Sequence, residues 1–116
     1  MTNKEIIRQV NEGFARGDSD LILSHVADDV SWEIMGISTH HGREEFAREI
    51  KNENFEGIPQ ITITGEIEEG DRVAVEGMVE TNLRGGAPFS LYFHNFYRLV
   101  DGKIKEMRSY LVERKR

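Results

Sequence analysis

Glu76 and His94 are the two side chains in this 116-residue sequence best suited to moving a proton, and the adjacent pair His40-His41 forms a second cluster. There is no cysteine. That excludes a thiolate nucleophile, a disulfide framework and any cysteine-ligated zinc or iron–sulfur site. Chemistry therefore rests on carboxylate, imidazole and hydroxyl groups. Strand alternation puts Glu76 on one face with Ala74, Met78 and Glu80, and His94 on one face with Tyr92 and Phe96. By the same period Trp32 shares a face with Ile34, and Met107 with Ser109 and Leu111. Whether Glu76 meets His94 depends on the reversal around Gly85-Gly86. A strict two-residue hairpin sets Glu76 opposite Asn95, whereas one more loop residue or a bulge sets it opposite His94. His40-His41 would need a third ligand, such as Glu33, Glu76 or His94, to hold a metal ion. Otherwise they are surface imidazoles, and no metal is expected. His25 reads as a packing or surface residue.

No glycine-rich strand-to-helix phrase that could cradle a phosphate is present, and no serine sits in an elbow motif. Twenty-one acidic residues against 15 basic ones give a net charge of −6, which argues against binding a phosphate backbone. The longest stretch free of Asp, Glu, Lys and Arg runs 13 residues, from Gly85 to Tyr97, too short for a membrane span. The start of the sequence has no apolar core behind a basic segment, so a cytoplasmic protein is expected. Hydrophobic residues at 38% and charged ones at 31% suit a folded domain. With no repeat or linker-like tract, residues 1–116 read as a single domain.

The elements that must position these side chains are legible in outline. Thr2 and Glu5 fit a reciprocal helix cap, followed by an apolar stripe of Ile6, Val10 and Phe14. Gly17 suits the end of that helix, and Asp18 caps a second one whose buried side is Leu21, Ile22 and Val26, stopped by Asp28-Asp29. A strand follows over Val30, Trp32 and Ile34. A loop through His40-His41-Gly42 then leads to a third helix with Phe46, Ala47 and Ile50 inward and Glu44, Glu45 and Glu49 solvated. Four strands come next: around Ile61 to Glu68, Arg72 to Thr81, Phe89 to Val100, and Lys103 to Glu113, with Asp101-Gly102 as the strongest hairpin signal. Arg114 to Arg116 read as a frayed basic tail. Helices first and an antiparallel meander afterwards indicate an α+β fold.

This order resembles the cone-shaped nuclear-transport-factor-2-like fold shared by ketosteroid isomerases and SnoaL-like polyketide cyclases. The resemblance is carried by Phe14-Ala15-Arg16-Gly17-Asp18, by Ala27-Asp28-Asp29-Val30-Ser31-Trp32 and by Gly42-Arg43-Glu44-Glu45-Phe46. Gly70 to Gly77 and Asp101-Gly102-Lys103-Ile104 complete it. It implies three helices packed on a curved, mostly antiparallel sheet that encloses a cavity. The fold hosts unrelated activities, so positions must be compared singly. The ketosteroid isomerase Tyr and base Asp fall on Val10 and Ile34, and its second acid on His94. An epoxide hydrolase Asp–Arg–Asp set is missing, since its last-strand phrase reads Met107-Arg108-Ser109-Tyr110.

The resemblance puts Trp32, Ile34, Met78, Tyr92, Phe96, Met107, Ser109 and Leu111 on the cavity wall as ligand-binding residues, with Glu76 and His94 between them as catalytic residues. In such a cavity burial raises a Glu pKa and lowers a His pKa, while their attraction stabilises the ion pair. Either outcome suits general acid–base work on an enolisable carbon acid; a purely structural Glu–His hydrogen bond is the competing reading. Two functions follow. One is an isomerase-, cyclase- or lyase-like enzyme without cofactor, acting on a small hydrophobic cyclic or polyketide-like ligand. The other is a non-catalytic ligand-binding or accessory protein. Arg108 and Tyr110, on the face opposite Met107 and Ser109, imply a homodimer packed through that sheet face.

Overall fold

Thr2 and Glu5 close the expected reciprocal cap in the computed structural model, which describes residues 1–115. The Glu5 backbone N–H donates to Thr2 Oγ1 at 3.1 Å, and Glu5 Oε1 accepts from the Thr2 N–H at 2.9 Å. Helix α1 (Asn3–Arg16) then buries Ile6, Ile7, Val10 and Gly13 and ends at Gly17, whose φ of 68° is left-handed. Helix α2 (Ser19–Leu23) is a single capped turn, with the Leu21 N–H on Asp18 Oδ1 at 3.1 Å. It stops sooner than the apolar spacing suggested. Val26 to Asp29 already belong to strand β1 (Val26–Ile34), because Val26 and Val30 are buried in the sheet's core rather than on a helix.

Gly36 turns the chain, and residues expected to form a loop pair back onto β1 as β2 (Ser38–His41), with His40 opposite Trp32. Helix α3 (Gly42–Ile50) follows. Arg43 donates to the carbonyls of Leu23 and Val26 at 2.5 and 2.7 Å, holding α3 to the α2–β1 junction. Strands β3 (Phe55–Glu69), β4 (Arg72–Leu83), β5 (Pro88–Val100) and β6 (Lys103–Glu113) complete a six-stranded sheet in the order β2-β1-β6-β5-β4-β3. Only the β1–β6 pair is parallel. The architecture is α+β, as expected, with α1 and α3 packed on a mostly antiparallel sheet and the single turn of α2 against those two helices rather than as a third full helix on the sheet. No helix among the described residues is long and apolar enough to cross a membrane.

Bulges set the shape of this sheet. The β3–β4 register shifts between Glu56 and Gln60 and again between Ile63 and Gly65, which increases local twist and curls the edge strand. At β5–β6 the Asp101-Gly102 turn has φ values of 51° and 77°, as a two-residue type I′ hairpin requires. Leu99 pairs with Ile104 but Arg98 pairs with Glu106, so Lys105 is left over. Its ammonium bonds the Asp29 carboxylate outside the sheet. The tail is not free at Arg114, whose N–H donates to the Ser90 carbonyl at 2.8 Å; Arg116 lies outside the described residues.

Gly77 is the position where curvature demands a missing side chain. It is buried on β4, opposite Ile63 at the β3 bulge, and a Cβ there would overlap the Thr62 carbonyl oxygen. A backbone oxygen in a paired strand cannot step aside without disturbing the ladder. Gly77→Ala should therefore lower stability by about 1–3 kcal/mol, the usual range for overpacking, measured by urea denaturation. Gly65→Ala is the comparison: there a Cβ meets only the flexible Glu76 side chain, at 3.3 Å, and a smaller loss is expected.

Candidate functional site

A cavity of about 940 Å³ lies against the concave side of the sheet. Its walls are Trp32 and Ile34 from β1, Ile61 from β3, Val79 from β4, Leu91 and Phe93 from β5, and Met107 and Leu111 from β6, with Phe14 of α1 and Ile50 of α3. Each strand contributes alternate residues, because only one face of a pleated strand can look inward. Trp32 is the best-anchored of these. Its ring lies 4.6 Å from that of Phe46 and 6.3 Å edge-on from that of Phe14. Its indole N–H donates to Ser109 Oγ at 2.9 Å, in a buried bond.

Polar residues interrupt the apolar wall, among them a facing pair on β5 and β6. Ser109 and Asn95 are opposite each other across β5–β6, and both line the cavity. Because Ser109 Oγ accepts from Trp32, its own hydrogen stays available to donate. The Asn95 Oδ1 atom is buried without a hydrogen-bond partner among the described residues, and so is the hydroxyl of Tyr97, two residues further along the same face. Burial pushes the Tyr97 phenol well above its ordinary range. Tyr97 therefore stays neutral.

The cavity rim carries Glu49, Lys51, Asn52, Glu53 and Glu113. Glu49 is not on a solvated helix face as expected. It sits three residues after the fully buried Phe46 and so on the inward side of α3, only 15% exposed. Its Oε1 is 3.0 Å from His40 Nε2, and its Oε2 accepts from Asn52 Nδ2 at 2.9 Å. The same His40 nitrogen lies 3.0 Å from Ser38 Oγ, and the His40 ring packs 6.2 Å from that of Trp32. His41, one residue on, is exposed, and its backbone N–H bonds Glu45. The two histidines therefore do not act together. No group of three His, Asp or Glu residues that could hold a metal ion occurs among the described residues.

Of the residues expected on the cavity wall, Trp32, Ile34, Met107, Ser109 and Leu111 are there. Val10 is fully buried in the core. Glu76 and His94 are register partners, as the longer reversal required, with Asn82 opposite Pro88 and Arg84 to Ala87 between the strands. They nevertheless point away from the cavity, together with Met78, Tyr92 and Phe96, and this corrects the expected face. The reason is the unpaired Lys105. An unbroken two-residue hairpin at Asp101-Gly102 would align His94 with Ser109; the extra residue moves His94 onto Tyr110 and brings Asn95 to Ser109. Burial agrees with this phase, since Val73, Val75, Phe93 and Tyr97 are buried while Glu76 is exposed. On the convex face His94 packs edge-on against Tyr110, and the guanidinium groups of Arg108 and Arg114 lie over Phe96 and Tyr92. Asn95 could have been found from sequence, as the one polar residue in the series Phe89, Leu91, Phe93, Asn95, Tyr97.

A family model for the SnoaL-like domain matches residues 7–107. Among curated proteins, none matches the sequence. Among solved structures, a nuclear-transport-factor-2-like protein of unknown function from Burkholderia pseudomallei K96243 superposes with a TM-score of 0.87 at 23% identity, over 97% of this chain and 92% of that one. A candidate polyketide cyclase from Xanthomonas campestris pv. campestris superposes at 0.79 and 26% identity, over 93% and 88% of the two chains. TerC, co-crystallised with polyporic acid, superposes at 0.78 and 29% identity, over 92% and 88%.

The orphaned phenol makes a simple prediction. Removing an unpaired buried hydroxyl recovers its desolvation cost, so Tyr97→Phe should keep stability unchanged or raise it by about 1–3 kcal/mol. Urea denaturation reads this directly, and a clear loss would mean that the hydroxyl has a partner in solution.

Proposed function

Since the chain belongs to the SnoaL-like domain family, we propose that its cavity binds a small hydrophobic cyclic or polyketide-like compound and acts on it by acid–base proton transfer, as a cofactor-independent isomerase, cyclase or lyase would. The observation that carries this reading is the cavity itself. About 940 Å³ of space is walled by aromatic and aliphatic side chains and marked by a few polar groups at Ser109, Asn95 and Glu49. That pattern suits a flat apolar molecule with a small number of oxygens, held by contact area and oriented by hydrogen bonds. The likeness to a candidate polyketide cyclase and to TerC with its polyporic acid supports the same substrate class. A second reading, a ligand-binding protein that catalyses nothing, draws on Val10 and Ile34 at the ketosteroid isomerase positions and on the outward orientation of Glu76 and His94.

Trp32 is the only tryptophan and lines the cavity, so its fluorescence reports occupancy. Polyporic acid should quench it saturably. Leu91→Arg, which puts a charged side chain into the cavity, should weaken binding about tenfold or more, equivalent to 1.4 kcal/mol per decade. Quenching that is linear and indifferent to Leu91→Arg would remove the binding reading.

The proposal extends to a homodimer through the convex sheet face. Tyr92, Tyr110 and Val112 are exposed there beside Phe96, Arg108 and Arg114, a mixture of aromatic and arginine side chains typical of interface cores. Sedimentation should give twice the chain mass of 13.3 kDa, and Tyr110→Glu should shift the protein to monomer.

A further inference from the structure

We propose that Glu49 is the base of this cavity and that His40 is its positioning residue. This rests on the binding reading above and names the group that would carry its chemistry. Among the side chains that line the cavity, Glu49 is a carboxylate held from behind on both oxygens, by His40 Nε2 at 3.0 Å and Asn52 Nδ2 at 2.9 Å. A carboxylate has about four acceptor positions, and these two contacts leave others open toward the cavity. With Glu49 ionised, the 3.0 Å contact requires the proton on His40 Nε2, so the imidazole donates. Trp32, against which the His40 ring packs, is fixed in turn by Ser109 and Phe46. The carboxylate thus rests on a chain of contacts that runs from its half-buried anchoring histidine to the buried Trp32 on the cavity wall.

A carboxylate so placed takes up a proton from a carbon adjacent to a ring carbonyl. The C–H bond breaks, its electron pair passes to the carbonyl oxygen as an enolate, and Glu49 becomes a carboxylic acid. Returning that proton to the same carbon gives exchange, and returning it to a conjugated carbon gives isomerisation. Neither consumes a co-reactant. The hydroxyl of Ser109 and the amide of Asn95 are the donors on the cavity wall that an enolate oxygen would meet. The substrate class is an apolar ring ketone with an enolisable carbon. Lys51, Glu53 and Glu113 also lie on the rim, but none has this pair of internal partners.

The test uses 2-methyl-1-tetralone in D2O, with deuterium uptake at the carbon next to the carbonyl followed by mass spectrometry and binding followed by Trp32 quenching. Wild-type protein should accelerate uptake about a hundredfold over buffer, the low end for a positioned general base. Glu49→Gln should return it to the buffer rate while still binding the ketone. Glu49→Asp, which keeps the charge but retracts it, should be slower than wild type and covers the case in which Glu49→Gln fails to fold. His40→Ala should lower kcat about tenfold with KM unchanged, as loss of an interaction used only in the transition state does. His40→Gln, which restores a donor, should recover most of that loss. Wild-type exchange that survives Glu49→Gln, or wild-type binding without exchange, overturns the role of Glu49 and leaves the binding reading intact. Absence of quenching by both the tetralone and polyporic acid overturns the binding reading with it.

Discussion

Lys105 has no partner across the β5–β6 ladder, and the chemistry of the cavity depends on that one unpaired residue. The turn at Asp101-Gly102 starts the two strands in a register that would set His94 beside Ser109. One extra residue on β6 then shifts the inward phase of that strand from Ile104 to Met107 and Ser109, while β5 keeps Leu99, Tyr97 and Phe93 buried on one face, because side chains alternate with a period of two. Asn95 and Phe93 turn inward; His94 and Tyr92 turn outward. The bulge is held by the bond from Lys105 to Asp29 on β1. It is also consistent with burial, since the odd-numbered residues of β4 and β5 carry most of the apolar side chains that the helices must cover.

Around this phase the cavity is organised by Trp32. It touches a helix residue on either side, Phe14 and Phe46, and its indole N–H is tied to β6 through Ser109. Breaking that bond would leave a buried donor unpaired, at a cost of about 1–3 kcal/mol. Polar groups on the concave face are few, and each has a distinct state. Ser109 is paired, Glu49 is held on both oxygens, and Asn95 and Tyr97 each have a buried oxygen without a hydrogen-bond partner among the described residues. A wholly apolar wall would bind ring compounds without orienting them; these side chains give the cavity direction.

The α+β class, the three helices, the long strands and the Asp101-Gly102 turn were legible in sequence because each depends on local spacing and on residues with narrow backbone preferences. The capping box at Thr2 and Glu5 and the left-handed Gly17 formed as expected for the same reason. Of the cavity wall, Trp32, Ile34, Met107, Ser109 and Leu111 were legible too. Their strands, β1 and β6, carry apolar residues at inward positions and keep one phase through that stretch. Strand β2 was not legible, since four polar and histidine residues have no period of their own and are strands only because β1 offers an edge. Helix α2 ended early because Val26 is worth more in the sheet core than on a further turn of that helix.

Amino-acid order alone thus determined the longer helices and strands, their polarity and the absence of thiol chemistry, all of which follow from residue type and near neighbours. Only the tertiary structure decided which face of β4 and β5 looks into the cavity, and with it that Glu76 and His94 meet outside while Glu49, Asn95 and Ser109 line it. The physical reason is that one bulged residue on β6 changes which residue of β5 lies opposite Ser109, and with aromatic residues on both faces of β5 the alternation does not reveal that shift. A pairing such as Glu49 with His40 likewise depends on how α3 lies across β1 and β2, which no spacing along the chain encodes.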